Sequence, residues 1–513
     1  MTGKRREIDR LTRKTARPKR QAPAVGPSRR GLFVLTGAAL GAVAMRAWDG
    51  GARWRPALLP TPEPGMLDDA SQLSATPVWR EEALTDGGAD VAKRLPGLLA
   101  EAGDRPVIAA GARHSMGGQS IARDGLNLAL DQGEIVLGED RTTYRVAAGT
   151  RWSRVIATLD AAGDSPAVMQ SNNDFGVAAT FSVNAHGWPV PFSGCGSTVR
   201  RIVMTTADGV QVRCSRDENA ELFRAAMGGY GLFGIITELE LEAVANQRLA
   251  GRHEVLPAAD FGPAFRDAVL GDGAVSMAYG RLDVSHARFF DEAMMITYRP
   301  AADQSDLPPA SGSGWMSRAS RHLFRAQLED ERMKGLRWWV ETVAAPKLAG
   351  EVTRNSLLNE PVVTLDDRDP ARTDILHEYF LPPERLEDFF ATCRKVIPAS
   401  YQQLLNVTLR YVRADTESLL AYAPEDRIAA VMLFSQERTA RAEADMARMT
   451  RALIDGALNA GGSYYLPYRL HATQDQFEAA YPGARAFAAL KRKTDPQGRF
   501  SNALWNTYLE PLA

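Results

Sequence analysis

The apolar run Val107-Ile108-Ala109-Ala110, followed at once by Gly111-Ala112-Arg113-His114-Ser115-Met116-Gly117-Gly118-Gln119, constrains this chain more than any other stretch. A run of strand length stops at a turn bracketed by Gly111, Gly117 and Gly118, which accept backbone dihedrals that other residues resist. Successive backbone N–H groups in such a turn form a concavity for an anion, so the stretch predicts a strand that delivers a diphosphate-sized site. Read alone, it is equally an ordinary turn.

At 513 residues with 45% hydrophobic content, the chain can build two domains with cores of their own. Its 61 basic and 62 acidic residues nearly cancel, so nothing points to a nucleic-acid partner for the molecule as a whole. Cys195, Cys214 and Cys393 are too few and too scattered for a disulfide framework or a zinc knuckle, and no metal site is expected. A single disulfide stays open.

Residues 1–47 read as a leader. Ser28-Arg29-Arg30-Gly31 sets paired arginines directly before the apolar run 32–45, as in a twin-arginine export signal. That run is short against the roughly 20 apolar residues of a membrane span, although an uncleaved anchor also fits. Ala42-Val43-Ala44 offers a cleavage site. Because that export machinery carries folded proteins, the leader points to a protein that takes up a cofactor before it leaves the cytoplasm. Residues 48–75, with Pro56, Pro60, Pro62 and Pro64, read as a Pro-rich tether.

Residues 76–244 have an α+β texture. Short strands are predicted at 126–130, 134–137 and 144–148, and Trp152, Val155, Ile156 and Leu159 recur at helical spacing. A hairpin is predicted from 202–206 and 210–213 around Ala207-Asp208-Gly209. Residues 218–227 read as a helix, broken by Gly228-Gly229-Tyr230-Gly231-Leu232-Phe233-Gly234 before a strand at 235–241.

These stretches carry a family resemblance. The opening turn resembles the flavin-linking turn of the vanillyl-alcohol-oxidase superfamily, whose members include cytokinin dehydrogenases and sugar and aldonolactone oxidases. Val177-Ala178-Ala179-Thr180-Phe181-Ser182-Val183-Asn184-Ala185-His186-Gly187 resembles its second FAD loop, with Ala178-Ala179 where Gly-Gly is commoner, and 222–237 resembles its third. The resemblance implies an α+β fold: a two-subdomain PCMH-type FAD-binding domain, a cap domain of antiparallel sheet and helices over 245–462, and a C-terminal return to the FAD site over 463–513. It implies FAD as cofactor, attached through His114, or bound without a bond if His114 only caps its loop. Gly111, Ala112, Arg113, Ser115 and Gln119 on the first loop, and Val177, Ala178, Thr180 and Ser182 on the second, would hold the diphosphate side. His186 and Gly187 close that loop, His186 either structural or touching the flavin, and Gly234 and Ile236 would lie along the adenine side. Asp174 sits near where doubly attached relatives carry a cysteine.

In the cap, residues 374–382 resemble a strand leading into a helix, and 317–343 read as an amphipathic helix that faces the core or a membrane surface. Val407-Thr408-Leu409-Arg410-Tyr411-Val412 alternates like a strand and resembles the stretch where sugar-alcohol and aldonolactone oxidases carry a glutamate and, two residues on, an arginine. Arg410 matches, Thr408 replaces the glutamate, and period two places both on one face. Tyr465-Leu466-Pro467-Tyr468-Arg469 resembles a segment in which a lysine faces the flavin; Arg469 stands there, to favour negative charge, or else in a salt bridge. Asp495-Pro496-Gln497-Gly498 is a turn returning to the flavin site, with Asn502 as a flavin contact or turn residue.

The resemblance therefore implies an exported, periplasmic or otherwise extracytoplasmic, flavoprotein that oxidises a hydroxylated carbon of a polyol, sugar or lactone by hydride transfer to flavin N5. Oxygen or a membrane electron acceptor would take the electrons onward. Cytokinin-dehydrogenase-like amine oxidation and a catalytically idle flavin-binding protein remain the alternatives.

Overall fold

The computed structural model describes residue 59 and residues 62–131, 133–271, 273–312, 325–328, 330–361 and 369–513. The leader with its paired arginines lies outside them. Ala52–Ala513 forms one compact unit, so the change of texture expected near residue 245 is a change of sheet within it.

The chain enters through a short antiparallel pair, Met66–Leu67 (β1) and Thr76–Pro77 (β2). This segment was expected to end a tether, and it packs instead. Asp69 is buried; its carboxylate accepts the Ser71 N–H at 3.0 Å and the Gly118 N–H at 2.8 Å. Burial raises its pKa, against those hydrogen bonds. Proline content signalled an extended chain here, but a carboxylate bonded to the opening turn anchors it.

A parallel sheet follows in the order β3-β5-β4, from Arg80–Leu84 (β3), Val107–Ala110 (β4) and Leu126–Leu130 (β5). The C-terminal stretch adds to its edge, because Val107 donates to the Arg499 carbonyl at 2.7 Å and forms a parallel bridge with Phe500. Asp495 shapes that return, accepting from Lys491 and from the N–H groups of Arg499 and Phe500 at 2.9 and 2.8 Å. The expected turn is thus a buried carboxylate hub.

The second sheet is built from Ile135–Leu137 (β6), Thr143–Ala147 (β7), Asp164–Pro166 (β8), Val199–Thr205 (β9), Gln211–Ser215 (β10) and Ile235–Ala245 (β11), in the order β10-β9-β11-β7-β6, with β8 against β11. The hairpin of β9 and β10 and the helix Trp152–Ala161, which buries Trp152, Val155, Ile156 and Leu159, follow the sequence pattern.

The third sheet is antiparallel and has eight strands: Arg248–Pro257 (β12), Met277–Leu282 (β13), Glu292–Pro300 (β14), Val352–Thr353 (β15), Arg372–Leu381 (β16), Gln403–Val412 (β17), Arg427–Glu437 (β18) and Ser463–Tyr464 (β19). Their order is β15-β12-β14-β13-β17-β18-β16-β19. Val407, Leu409 and Tyr411 join one core with Phe261 and Phe265 of the helix Ala258–Leu270 and Phe389 of the helix Leu386–Val396. Alternation then sends Asn406, Thr408 and Arg410 to the opposite face. Of the expected amphipathic stretch 317–343, residues 317–324 and 329 lie outside the described ones; in the helix Glu331–Trp339, Trp338 is buried on Glu292 at 3.0 Å while Trp339 is exposed. All three cysteines are free and buried, so the disulfide left open by the sequence does not form.

Candidate flavin site

A cavity of about 920 Å³ separates the glycine-containing loops of the first two sheets from the polar face of the third. Its size is that of a pocket for a sizeable ligand. Gly111, Ala112, Arg113, His114, Ser115 and Gln119 all line it. Arg113 has φ 52° and its guanidinium is held by Glu81 at 2.7 Å, so a non-glycine residue sits in the left-handed region within the turn. Among the described residues no acceptor takes the N–H groups of Ala112, Arg113, His114 or Ser115, whereas those of Met116, Gly117 and Gly118 are bonded. Successive unclaimed donors beside a cavity are what a diphosphate requires. Gln119 works from behind, donating to the carbonyls of Leu466 and Tyr468 at 2.7 and 2.8 Å.

The second loop differs from the expectation. It folds as the short helix Val177–Ser182, and the N–H groups of Val177, Ala178 and Thr180 are spent on the carbonyls of Thr150, Ala148 and Gly176. Val177 does not line the cavity; Ala178, Thr180 and Ser182 do. Thr180 Oγ1 takes the Trp152 indole N–H at 2.8 Å and donates to Gln170 at 2.6 Å, which fixes the helix start. Gly187 also lies off the lining; a Cβ there would stand 1.9 Å from the Met169 carbonyl, so its role is close packing. On the third loop Tyr230 (φ 53°) and Gly231 (φ 74°) turn the chain, and Gly234 and Ile236 line the cavity. Asn502 supports this turn by donating to the Tyr230 carbonyl at 2.9 Å and does not line the cavity itself.

His114 packs against Phe175, ring centroids 4.2 Å apart and planes tilted by 33°, with Nε2 3.9 Å from Asp174. Burial lowers its pKa, the Arg151 charge adds to that, and Asp174 opposes it. Burial thus favours the neutral ring.

On the sheet face, register places Arg281 opposite Thr408, Thr408 opposite Val431 and Val431 opposite Glu378, a row across β13, β17, β18 and β16. Thr408 Oγ1 accepts from Arg281 at 2.9 Å and from Asn406 at 3.1 Å. Arg410 donates to Ser171 Oγ at 2.7 Å and to the His186 carbonyl at 3.4 Å. Burial lowers its pKa and Glu378 opposes that. Arg469 is not brought into this group: it pairs with Glu443, whose Oε1 lies 2.5 Å from Nη2, and also bonds Ser74 and the Met116 carbonyl. It steadies the first loop from outside the cavity.

Glu378 and Arg281 were not singled out by the sequence. Arg281 is the one charged residue of the strand Met277–Leu282, a signal that could have found it, whereas Glu378 shares its strand with Arg372, Asp374 and His377 and does not stand out. Asn406 shares the alternation already read for Thr408 and Arg410.

Residues 98–215 match the family described as an FAD binding domain. This chain carries an FAD binding domain. Cytokinin dehydrogenase 2 of Arabidopsis thaliana is 33% identical over 137 residues, which is 26% of this chain and 27% of that protein. Cytokinin dehydrogenase 4 of the same plant is 32% identical over 176 residues, 33% of each chain. A putative D-arabinono-1,4-lactone oxidase of Neurospora crassa is 30% identical over 154 residues, 30% of this chain and 28% of that one. The chain thus spans between a quarter and a third of the length of these relatives.

FAD is the cofactor, and the cavity fits it. Beyond the unclaimed N–H groups of the first loop, the buried Ser120 Oγ, His186 Nδ1, Trp188 Nε1 and Arg410 Nε belong to lining residues and have no partner among the described residues. The loops at 111–115, 178–182 and 230–236 would hold the dinucleotide, with the polar sheet face opposite them.

Proposed function

We propose that this protein is an FAD-dependent oxidase or dehydrogenase that oxidises a hydroxylated carbon of a polyol, sugar or aldonolactone. The observation that carries the reading is that Arg281, Thr408 and Arg410, on one face of adjoining strands, line the same cavity as the glycine-containing loops. Bound FAD supplies a two-electron acceptor. The chain's own part is to orient the substrate with Arg410, Thr408 and Asn406 and to shut out water with the wall that Tyr465 and Tyr468 complete. His114, held between Phe175 and Asp174, is the residue we assign to covalent attachment of FAD. Oxygen or a membrane acceptor would reoxidise the enzyme.

Anaerobic mixing of the purified protein with a panel of polyols, sugars, aldonolactones and amines tests this. Bleaching of the flavin band by hydroxylated compounds supports the reading; bleaching by amines alone would replace it with cytokinin-dehydrogenase-like chemistry, which the matches to those enzymes favour. Bleaching by no compound would leave a flavin-binding protein without catalysis. Acid precipitation tests attachment, because a yellow pellet with flavin on the His114 peptide is expected and flavin in the supernatant would refute the bond.

Export to the periplasm by the twin-arginine machinery belongs to the same proposal, supported by Arg29-Arg30 before the apolar run 32–45. Replacing both arginines by lysine should hold the protein in the cytoplasmic fraction.

A further inference from the structure

We infer that the substrate carries a carboxylate, held between Arg281 and Arg410, so that it is a sugar acid or related hydroxy acid rather than a neutral polyol. The inference rests on the reading above that the cavity takes FAD and an oxidisable hydroxyl, and it replaces the neutral polyol, sugar or lactone of that reading with the corresponding acid.

Arg281 and Arg410 flank Thr408 on one face of adjoining strands, Arg281 directly opposite it and Arg410 two residues along. Arg281 gives one bond, to Thr408, and Arg410 gives two, to Ser171 and the His186 carbonyl. Neither forms an ion pair with a described residue, and Arg410 Nε is buried without a partner. The carboxylates on the same sheet face are engaged elsewhere: Asp374 by Arg325 at 2.9 Å, and Glu378 by His186 and by Tyr468 at 3.1 Å. Burial lowers the Arg410 pKa most; Glu378, Tyr468 and Tyr465 pull against that without forming an ion pair, and the like charge of Arg281 adds to it.

The hydrogen-bond inventory points the same way. Thr408 Oγ1 already accepts twice, so its own hydrogen is left to donate. Trp188 adds an unpartnered buried N–H; its ring stacks on Tyr279 at 4.5 Å, and the Arg281 guanidinium lies 5.6 Å from that same ring. This part of the wall offers donors and two cations. A polyol hydroxyl must both give and receive hydrogen bonds, whereas a carboxylate only receives them and is matched in geometry by guanidinium groups.

The test uses the flavin-loaded protein. An aldonate and the alditol of the same carbon number are compared by steady-state kinetics, and glutarate, which has no hydroxyl to oxidise, is titrated against the flavin absorption band. We expect KM for the aldonate at least tenfold below that for the alditol, a ratio that falls about tenfold in Arg281→Gln and recovers in part in Arg281→Lys. Glutarate should perturb the flavin band of the parent protein, and not that of Arg281→Gln. Equal KM values for acid and alditol, or no response to glutarate, would overturn the inference while leaving alcohol oxidation standing. So would an Arg281→Gln variant that shifts the flavin potential but keeps the acid-to-alditol ratio, since the arginine would then serve the cofactor. Absence of bound flavin, by contrast, would sink the earlier reading.

Discussion

Glu378 Oε1 and His186 Nε2 stand 2.5 Å apart, both buried, tying the middle of β16 to the end of the second FAD loop. Burial by itself would raise the Glu378 pKa, yet His186, Arg410 and the Tyr468 hydroxyl together hold it below the usual carboxylate range. The pair couples the polar face of the third sheet to the loop that follows the helix Val177–Ser182.

Removing one member should therefore be costly. His186→Ala leaves a buried carboxylate with much less compensation and is expected to lower stability by about 3–5 kcal/mol, while Glu378→Gln, which keeps an acceptor for His186, costs less. Urea unfolding of the two variants measures this. Equal stability of parent and His186→Ala would show that the pair contributes nothing.

Arg410 and Arg469 should separate cleanly. Arg469→Ala breaks the pair with Glu443 and the bond to the Met116 carbonyl, so a stability loss of roughly 1–3 kcal/mol is expected with substrate KM altered less than about threefold. Arg410→Ala faces the cavity and should lower kcat/KM by about a hundredfold or more. If Arg469→Ala lost activity without losing stability, its placement outside the site would be wrong.

Two glycines should fail in different ways. In Gly187→Ala the new Cβ would collide with the Met169 carbonyl at 1.9 Å, and little soluble protein is expected. At Gly111 the nearest atom to such a Cβ is Gly176 Cα at 3.7 Å, an ordinary contact beside the diphosphate cradle. In a His114→Ala background, which cannot form the bond, Gly111→Ala should fold normally and bind FAD about tenfold more weakly, or about 1.4 kcal/mol, by fluorescence titration of the flavin-free protein.

Acid should destabilise the fold early. His377 is a buried residue of β16, where desolvation first, and then the like charge of His471, push its pKa down to about 3 against the pull of Glu443. Between that value and the unfolded value of about 6.5 the unfolded chain binds the extra proton, so stability is full above about pH 6.5 and falls by about 1.4 kcal/mol per pH unit as pH drops through this window. Melting temperatures of the parent and His377→Gln across that range check the sign; the variant's profile should be flatter until the depressed carboxylates Glu378 and Glu443 begin to titrate at lower pH.

Much of this protein was legible in its residues. Strand β4 with its glycine turn, the helix that buries Trp152 and Leu159, the β9–β10 hairpin and the alternation of Thr408 and Arg410 depend on neighbours within a few positions, and local dihedral preference and hydrophobic period report such neighbours directly. Residues 66–75 were misread because composition cannot show that Asp69 will find Gly118, 49 positions away.

What the sequence by itself determined is therefore the set of local elements and the loop that can receive a diphosphate. Only the tertiary structure decided which charges meet. It turned Arg469 toward Glu443 rather than the cavity, and it spent the Val177 and Ala178 N–H groups on other carbonyls. It also brought Arg281 and Glu378 onto the face that Thr408 and Arg410 share. Strand register and burial set those pairings between residues up to hundreds of positions apart, and no local pattern carries that information.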